Sequence, residues 1–422
     1  MKKNSWLFGG AAILVLGLGL IIGYGIKPSV PATSVVVKSI PNGSPDPAVW
    51  GKYYPDQYAS YLKNAEMKQG NSKYGGSTRF DRLEKDPMLK ILFAGYGFGL
   101  DYTKDRGHVY AIQDVLDTKR KKPSASCWTC KGPEVPGLIA QMGDSYYTAS
   151  FDSLKDKMHY SVACLDCHDP KTMALKITRP AFNEGLKAQG KDPNNLSRQE
   201  MRSAVCGQCH VSYYFEPKTN KVIFPWNNGM KVEQMLKYEN DQKFTDWTMP
   251  NTKTPMVKVR HPEYELFSTS VHAQNGTSCA DCHMPYIKEG QSKISSHHWE
   301  SPLNTIAQSC QSCHKQSEDY LKKQVIDVQD KVHNNQMLAE KAIVAAIGAL
   351  TKSTNDPKAD QKLLEEARQL HREASFRWDF VASENSTGFH NPTEALRVLG
   401  EAIDLGHQAE QKATQAMNTV VQ

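Results

Sequence analysis

The sequence predicts a mainly α-helical protein, with short helices and loops around covalently held groups followed by long C-terminal helices. Ten cysteines fall into five identical Cys-x-x-Cys pairs between residues 127 and 313, each too close to the next for long regular elements. From Glu318 onward the apolar residues take helical spacing. No stretch is β-rich. The 422 residues leave room for two or three ordinary domains. Counting Gly in place of Tyr, apolar content is only about 41%, below the usual ~45–50%, which leaves interior to be filled by something other than side chains. The 38 aromatic residues argue against disorder.

Lys and Arg number 51 against 45 Asp and Glu. The densest basic run, Lys119-Arg120-Lys121-Lys122, is short, so no nucleic-acid partner is expected. The chain begins Met1-Lys2-Lys3, continues without charge from Trp6 to Ile26 and then reads Lys27-Pro28. A positive start before an apolar segment is an export signal, and 21 uncharged residues suffice to span a bilayer. Residues 1–27 therefore read as a signal peptide or an uncleaved membrane anchor. The anchor is favoured, because the Ala32-Thr33 region makes a poor cleavage site. Either reading places the rest outside the cytoplasm, in the periplasm. A Pro/Ser/Val linker follows over residues 28–47.

The cysteine pairs are Cys127/Cys130, Cys164/Cys167, Cys206/Cys209, Cys279/Cys282 and Cys310/Cys313, with none left over. Disulfide frameworks in exported chains use varied spacings rather than one spacing five times. Structural zinc takes two pairs per site and would leave an orphan. Four pairs are followed directly by histidine: His168, His210, His283 and His314. Cys-x-x-Cys-His is the attachment pattern of haem c: two thioethers tether the porphyrin edge and the adjacent imidazole reaches the iron. The fifth pair is followed by Lys131. An amine ligates iron only when deprotonated, which burial and a nearby metal favour. A haem with that ligand and no distal protein ligand is open to substrate, whereas a bis-His haem carries electrons. Ten further histidines remain, enough for four distal ligands. Five haem c groups would also bring ten propionates to offset the net charge of +6.

With these motifs the chain resembles the pentahaem cytochrome c nitrite reductases, which reduce nitrite to ammonium, from about Pro55 to Arg397. The resemblance implies the following roles. His108, in Arg106-Gly107-His108-Val109-Tyr110, is a distal haem ligand; Arg120 is the active-site arginine; Tyr213, in Val211-Ser212-Tyr213-Tyr214-Phe215, is the catalytic tyrosine. His261, in Lys258-Val259-Arg260-His261-Pro262, is the catalytic histidine. His272 and His390 match distal ligands, the latter of the fourth haem. His297 and His298 compete for another distal position, and spacing to Pro302 and Cys310 favours His297. His159, His333, His371 and His407 match no family position.

The common family pattern has Glu before the catalytic Tyr and Gln before the catalytic His, which with a neighbouring Lys carbonyl help hold calcium. Here those positions are Ser212 and Arg260. A hard dication wants several oxygen ligands, so calcium is expected to be absent, with the Arg260 guanidinium in its place, as in a calcium-independent branch. The resemblance also implies a homodimer through the C-terminal helices, and an electron donor that is either a multihaem quinol dehydrogenase or a soluble cytochrome. The expected regions are 48–315, carrying the five haems, and 316–422, carrying the long helices. In the latter, one helix runs over 318–352, a second ends near Ala382 and Pro392 opens a third. Nitrite would bind iron opposite Lys131, with Arg120 and His261 on its oxygens and Tyr213 assisting proton or electron delivery. Hydroxylamine or sulfite reduction, and a non-catalytic electron wire with every iron six-coordinate, are the rival readings.

Overall fold

Between Pro41 and Ser309 no helix among the described residues exceeds ten residues. In this computed structural model the described residues are 37–289 and 292–418. The expected signal or anchor over residues 1–27, and the linker as far as residue 36, lie outside them. Among the described residues no helix is long and apolar enough to cross a membrane.

Local chemistry sets the short elements. Helix α1 (Pro180–Ala188) opens on a proline, whose missing N–H costs nothing in a first turn. In α2 (Arg198–Gly207) the Ser197 hydroxyl accepts the Glu200 N–H at 3.2 Å, while the Glu200 carboxylate accepts the Ser197 N–H at 2.9 Å, a reciprocal cap. Next come α3 (Val232–Asp241), α4 (Glu263–Ser268) and α5 (Cys279–His283). Strands form three antiparallel two-stranded ribbons: Tyr214–Phe215 with Val222–Ile223, Trp247–Thr248 with Pro255–Met256, and Tyr286–Glu289 with Ser292–Ser295.

Three long helices follow: α6 (Glu318–Thr354), α7 (Gln361–Ala382) and α8 (Pro392–Asn418). The first two are capped by side chains, Ser317 accepting the Tyr320 N–H at 3.3 Å and Asp360 accepting those of Lys362 and Leu363 at 2.9 and 3.1 Å. Along α8, Ala395, Leu399, Ala402, Gly406, Ala409, Ala413 and Ala416 are all buried and recur at alternating spacings of four and three, the period of a coiled-coil seam. Val332, Ala339, Ile343, Ala346 and Leu350 do the same on α6. Small residues let the backbones approach closely: a β-carbon at Gly406 would stand 3.0 Å from the Ala342 β-carbon. Leu338, which the apolar spacing of the sequence includes in this stripe, is 52% exposed, because the seam runs through Ala339 instead. Leu321, Val325 and Val328 are only half-buried.

One apolar cluster joins α6, α7 and α8 to Leu83–Phe93, α3 and Trp247–Met256. The long helices and the cysteine-bearing segments thus share a core. A second cluster surrounds the first cysteine pair, where Trp128 stacks on Phe151 at 4.1 Å and its indole N–H donates to the Phe151 carbonyl at 2.9 Å. Gly406→Leu should force α8 away from α6, destabilising the protein by about 1–3 kcal/mol. A lowered thermal midpoint with unchanged haem content is the expected result.

Candidate functional site

Each cysteine pair is wound into a single tight turn. In three of them the histidine N–H donates to the carbonyl of the first cysteine at 2.9 Å, from His168 to Cys164, from His210 to Cys206 and from His314 to Cys310. Such a turn sets both thiols and the imidazole around one locus. Asp166 and Asp281, inside two of the motifs, accept the N–H groups of Ala163 and Ser278 at 2.8 Å and so close these turns.

The last of the five cysteine pairs is the least covered. Cys313, expected to bind haem in the same way as the other nine cysteines, is exposed, whereas those nine are all partly covered. The reason is its place in the chain. It sits in the short link between Ile306–Ser309 and α6, and the residues around it, Ser312 and 314–320, are exposed as well. Residue spacing is the same in all five pairs, but burial depends on which remote segments pack over each. The Cys310 side of this turn is better covered.

The four motif histidines each meet a distant histidine, and His210 also stands 6.4 Å from the catalytic candidate His261. Ring centres lie 6.2 Å apart for His168 and His297, 5.9 Å for His210 and His108, 6.3 Å for His283 and His390, and 6.3 Å for His314 and His272. Two metal–imidazole bonds of about 2.0–2.1 Å, plus two ring radii, require a separation of roughly 6 Å. His298 instead faces the Glu300 carboxylate, its Nδ1 3.2 Å from the oxygen. Several of the paired rings are also turned by their Nδ1 partners. Nδ1 donates to the Met173 carbonyl from His168 (2.9 Å), to Glu300 from His283 (3.1 Å), to Ser295 from His297 (2.9 Å) and to the Glu384 carboxylate from His390 (3.1 Å). A ring that spends its proton there offers Nε2 as a bare lone pair. Burial pushes His283 and His297 down to about 4, which keeps them neutral.

At the first cysteine pair the place of the motif histidine is taken by Lys131. Its N–H donates to the Trp128 carbonyl at 2.9 Å, and its side chain shares an electrostatic neighbourhood with other candidates. Burial works to raise the Asp105 carboxyl, yet the charges of Lys131, His261, Arg120 and Lys104 hold it below its ordinary value. Burial also raises the Tyr213 phenol against the pull of Arg260, with Cys130, Cys127 and Arg120 among its neighbours. Lys131, Arg120, Tyr213 and His261 therefore converge beside the first cysteine pair. His261 takes a left-handed backbone conformation, φ 48°, uncommon outside glycine. Its Nδ1 is buried without a hydrogen-bond partner, and burial pushes its imidazole down to about 4.

Arg260 is 10% exposed at its side chain. Its guanidinium donates to the carbonyls of Tyr213 (3.2 Å) and Lys258 (2.9 Å), to the Tyr96 hydroxyl (2.9 Å) and to both oxygens of Asp246 (2.5 and 3.3 Å).

A family model described as cytochrome c552 matches residues 46–421. The chain belongs to the cytochrome c552 family. A cytochrome c-552 of Bacteroides fragilis (strain ATCC 25285) is 37% identical over 425 residues, covering 97% of this chain and 86% of that protein. The cytochrome c nitrite reductase subunit NrfA of Nitratidesulfovibrio vulgaris (strain Hildenborough) is 35% identical over 467 residues, covering 97% and 88%. Among solved structures, a cytochrome c nitrite reductase from Desulfovibrio desulfuricans ATCC 27774, described with two calcium sites in its catalytic subunit, superposes with a TM-score of 0.85. It is 34% identical over 89% of this chain and 87% of that one.

Membership of the cytochrome c552 family implies covalent haem c, and the residues present fit it. The ten cysteines are unbridged, the motif turns repeat, and four pairs of rings have the separation that one shared metal atom requires.

Several residues that hold this cytochrome c552-family site together carry no sequence signal. Arg179, 1% exposed, donates to the carbonyls of Thr129 (2.6 Å) and Gly132 (3.1 Å) and to the Asp166 carboxylate (2.5 Å), tying the Lys131 turn to the second motif. Asp379 on α7 accepts the Val259 N–H at 2.8 Å and the Lys258 ammonium at 2.7 Å, and Asp246 accepts the Lys258 N–H at 2.8 Å. Two carboxylates, one from a long helix, thereby pin the loop that presents His261. Asp379→Leu would leave the Lys258 ammonium buried and unpaired, at a cost of about 3–5 kcal/mol. Combining it with Lys258→Met should recover much of that loss in thermal unfolding.

Proposed function

We propose that this protein reduces nitrite to ammonium with six electrons, at a lysine-ligated open haem on Cys127 and Cys130 fed by four bis-His haems. One observation carries the reading: four motif histidines each have a second histidine at the metal-sharing distance, while the first cysteine pair is followed by Lys131, whose charge acts on His261 and, with Arg120, on Asp105. The similarity to proteins named cytochrome c nitrite reductase supports the substrate. In this reading Cys164/Cys167, Cys206/Cys209, Cys279/Cys282 and Cys310/Cys313 attach the remaining haems. Their irons are held by His168 with His297, His210 with His108, His283 with His390, and His314 with His272. Cys313 keeps its attachment role despite its exposure, because the thioether bond needs its sulfur beside the porphyrin edge rather than shielded from water.

When bound, the haems would supply a Lewis-acidic iron, with Lys131 as the residue that would hold it at the first pair, and a store of electrons. The chain's own residues do the rest. Nitrite nitrogen goes from +3 to −3, so six electrons and eight protons are consumed. Arg120 turns its guanidinium toward the anion's oxygens, drawing the substrate in and stabilising charge there. His261 enters as a neutral imidazole, because burial holds its pKa near 4, and hydrogen-bonds an oxygen of the substrate. The Tyr213 phenol, raised by burial, keeps its proton at working pH and donates it as a hydrogen bond.

Arg260 takes the position that calcium holds in other family members, satisfying the Tyr213 and Lys258 carbonyls with fixed positive charge; this is supported by its hydrogen bonds to both and by Ser212 in place of a carboxylate. The family and the N-terminal sequence support a periplasmic location, with donation by a multihaem quinol dehydrogenase or a soluble cytochrome. The start of α6, where Tyr320 is 50% exposed, and Leu338 further along it, 52% exposed, support a homodimer through this helix.

His261→Asn should lower nitrite-dependent ammonium formation by roughly 10²-fold while five haems per chain and one high-spin signal remain. Unchanged turnover, or a spectrum with every iron low-spin, would overturn the reading. Chelator-washed protein should retain full turnover with no calcium by elemental analysis; a stoichiometric calcium ion would remove Arg260 from this role.

A further inference from the structure

We infer that Thr118, Asp101 and Phe98 are positioning residues that aim the Arg120 guanidinium, an inference that rests on the reading of Arg120 as the substrate-binding cation. Arg120 stands three residues beyond the end of helix Ala111–Asp117, in a stretch of chain where nothing regular fixes a long side chain. Its Nε–H donates to the Thr118 hydroxyl at 3.0 Å, and its backbone N–H reaches the same oxygen at 3.3 Å. That hydroxyl has spent its own proton on Asp101 Oδ2, 2.8 Å away, so only lone pairs remain to face the arginine. Asp101 is itself held: the Lys119 N–H donates to Oδ2 at 2.6 Å and the Thr103 hydroxyl to Oδ1 at 3.2 Å. The order of donors and acceptors is thus fixed from Asp101 through Thr118 to Arg120.

The other restraint is a ring. The Arg120 guanidinium carbon lies 4.0 Å from the centre of Phe98, within stacking distance. Phe98 is braced edge-on by Tyr102 at 4.9 Å and flanked by Phe93 and Tyr96. Gly97 makes the approach feasible, since a β-carbon there would meet the Arg120 stem at 3.3 Å. With Nε bonded and one face stacked, the guanidinium has a single orientation. Among the described residues its two terminal nitrogens make no hydrogen bond, and these are the donors an anion with two oxygens would take.

The test is an absorbance titration of the oxidised holoprotein with nitrite, alongside steady-state KM and kcat. Thr118→Val should weaken nitrite binding on the order of tenfold, with haem content and thermal midpoint unchanged, and Thr118→Ser should restore binding to within about twofold. Phe98→Leu should weaken it as well. In an Arg120→Ala background, Thr118→Val should add nothing, because residues acting through one side chain are not additive. If Arg120→Ala weakens binding but Thr118→Val and Phe98→Leu do not, the inference falls and the substrate role of Arg120 stands. A Thr118→Val loss that persists without Arg120 also overturns it. If Arg120→Ala itself leaves nitrite binding unchanged, the role proposed for that residue falls first.

Discussion

An imidazole binds a metal only with its nitrogen about 2 Å from the ion, and two of them on one ion must hold their ring centres about 6 Å apart. The rest of this fold answers to that constraint. His108 is more than a hundred residues from His210, and His390 more than a hundred from His283, so segments remote in the chain must be placed to within fractions of an ångström. Short turns suit the motif end of each pair, because a closed helical turn presents both thiols and the imidazole with little freedom left. The distal ends come from short turns and loops, and two of their rings, His297 and His390, are turned by a carbonyl or carboxylate at Nδ1. A bundle of three long helices braces the assembly through the core it shares with the cysteine-bearing segments.

Charge is the second demand. The site and its supports gather Arg120, Arg260, Lys258 and Arg179 in a largely buried space, and isolated buried charges are costly. The chain answers with carboxylates placed one for one. Asp246 takes Arg260, Asp379 takes Lys258 and Asp166 takes Arg179, all nearly inaccessible to water. Pairs of this kind contribute little net stability over apolar packing, but breaking one is severe; what they supply here is fixed orientation. The Lys258–His261 loop is held from both sides by Asp246 and Asp379, which gives a structural reason for the strained φ of His261 to persist. Arg120 differs: among the described residues no carboxylate neutralises it directly, and its terminal nitrogens are left for an arriving anion.

Much of this was legible in the sequence, and the legible parts share a cause. Cys-x-x-Cys-His turns, Pro392 at a helix start and the apolar period of α6 are local, so their chemistry lies within a few residues. Leu338 shows the limit even there: local period admits it to the stripe, yet the partner helix selects Ala339. Cys313 shows the same limit, since its motif reads like the others while its surroundings leave it open to solvent. His297 and His298 show it again, as neighbours in sequence that differ only in what each ring faces across the fold.

The sequence by itself determined that five Cys-x-x-Cys turns are present, that one of the five is followed by lysine rather than histidine and that long helices close the chain. Those features are written in residue type and short spacing, which need no neighbour to interpret. Only the tertiary structure decided which distant imidazole faces which motif, that Arg260 is bound by the Tyr213 and Lys258 carbonyls, and that Asp246, Asp379, Arg179, Thr118 and Phe98 hold the site. Each of these depends on the direction of a side chain relative to segments that are not its sequence neighbours, and a direction of that kind exists only once the chain has packed.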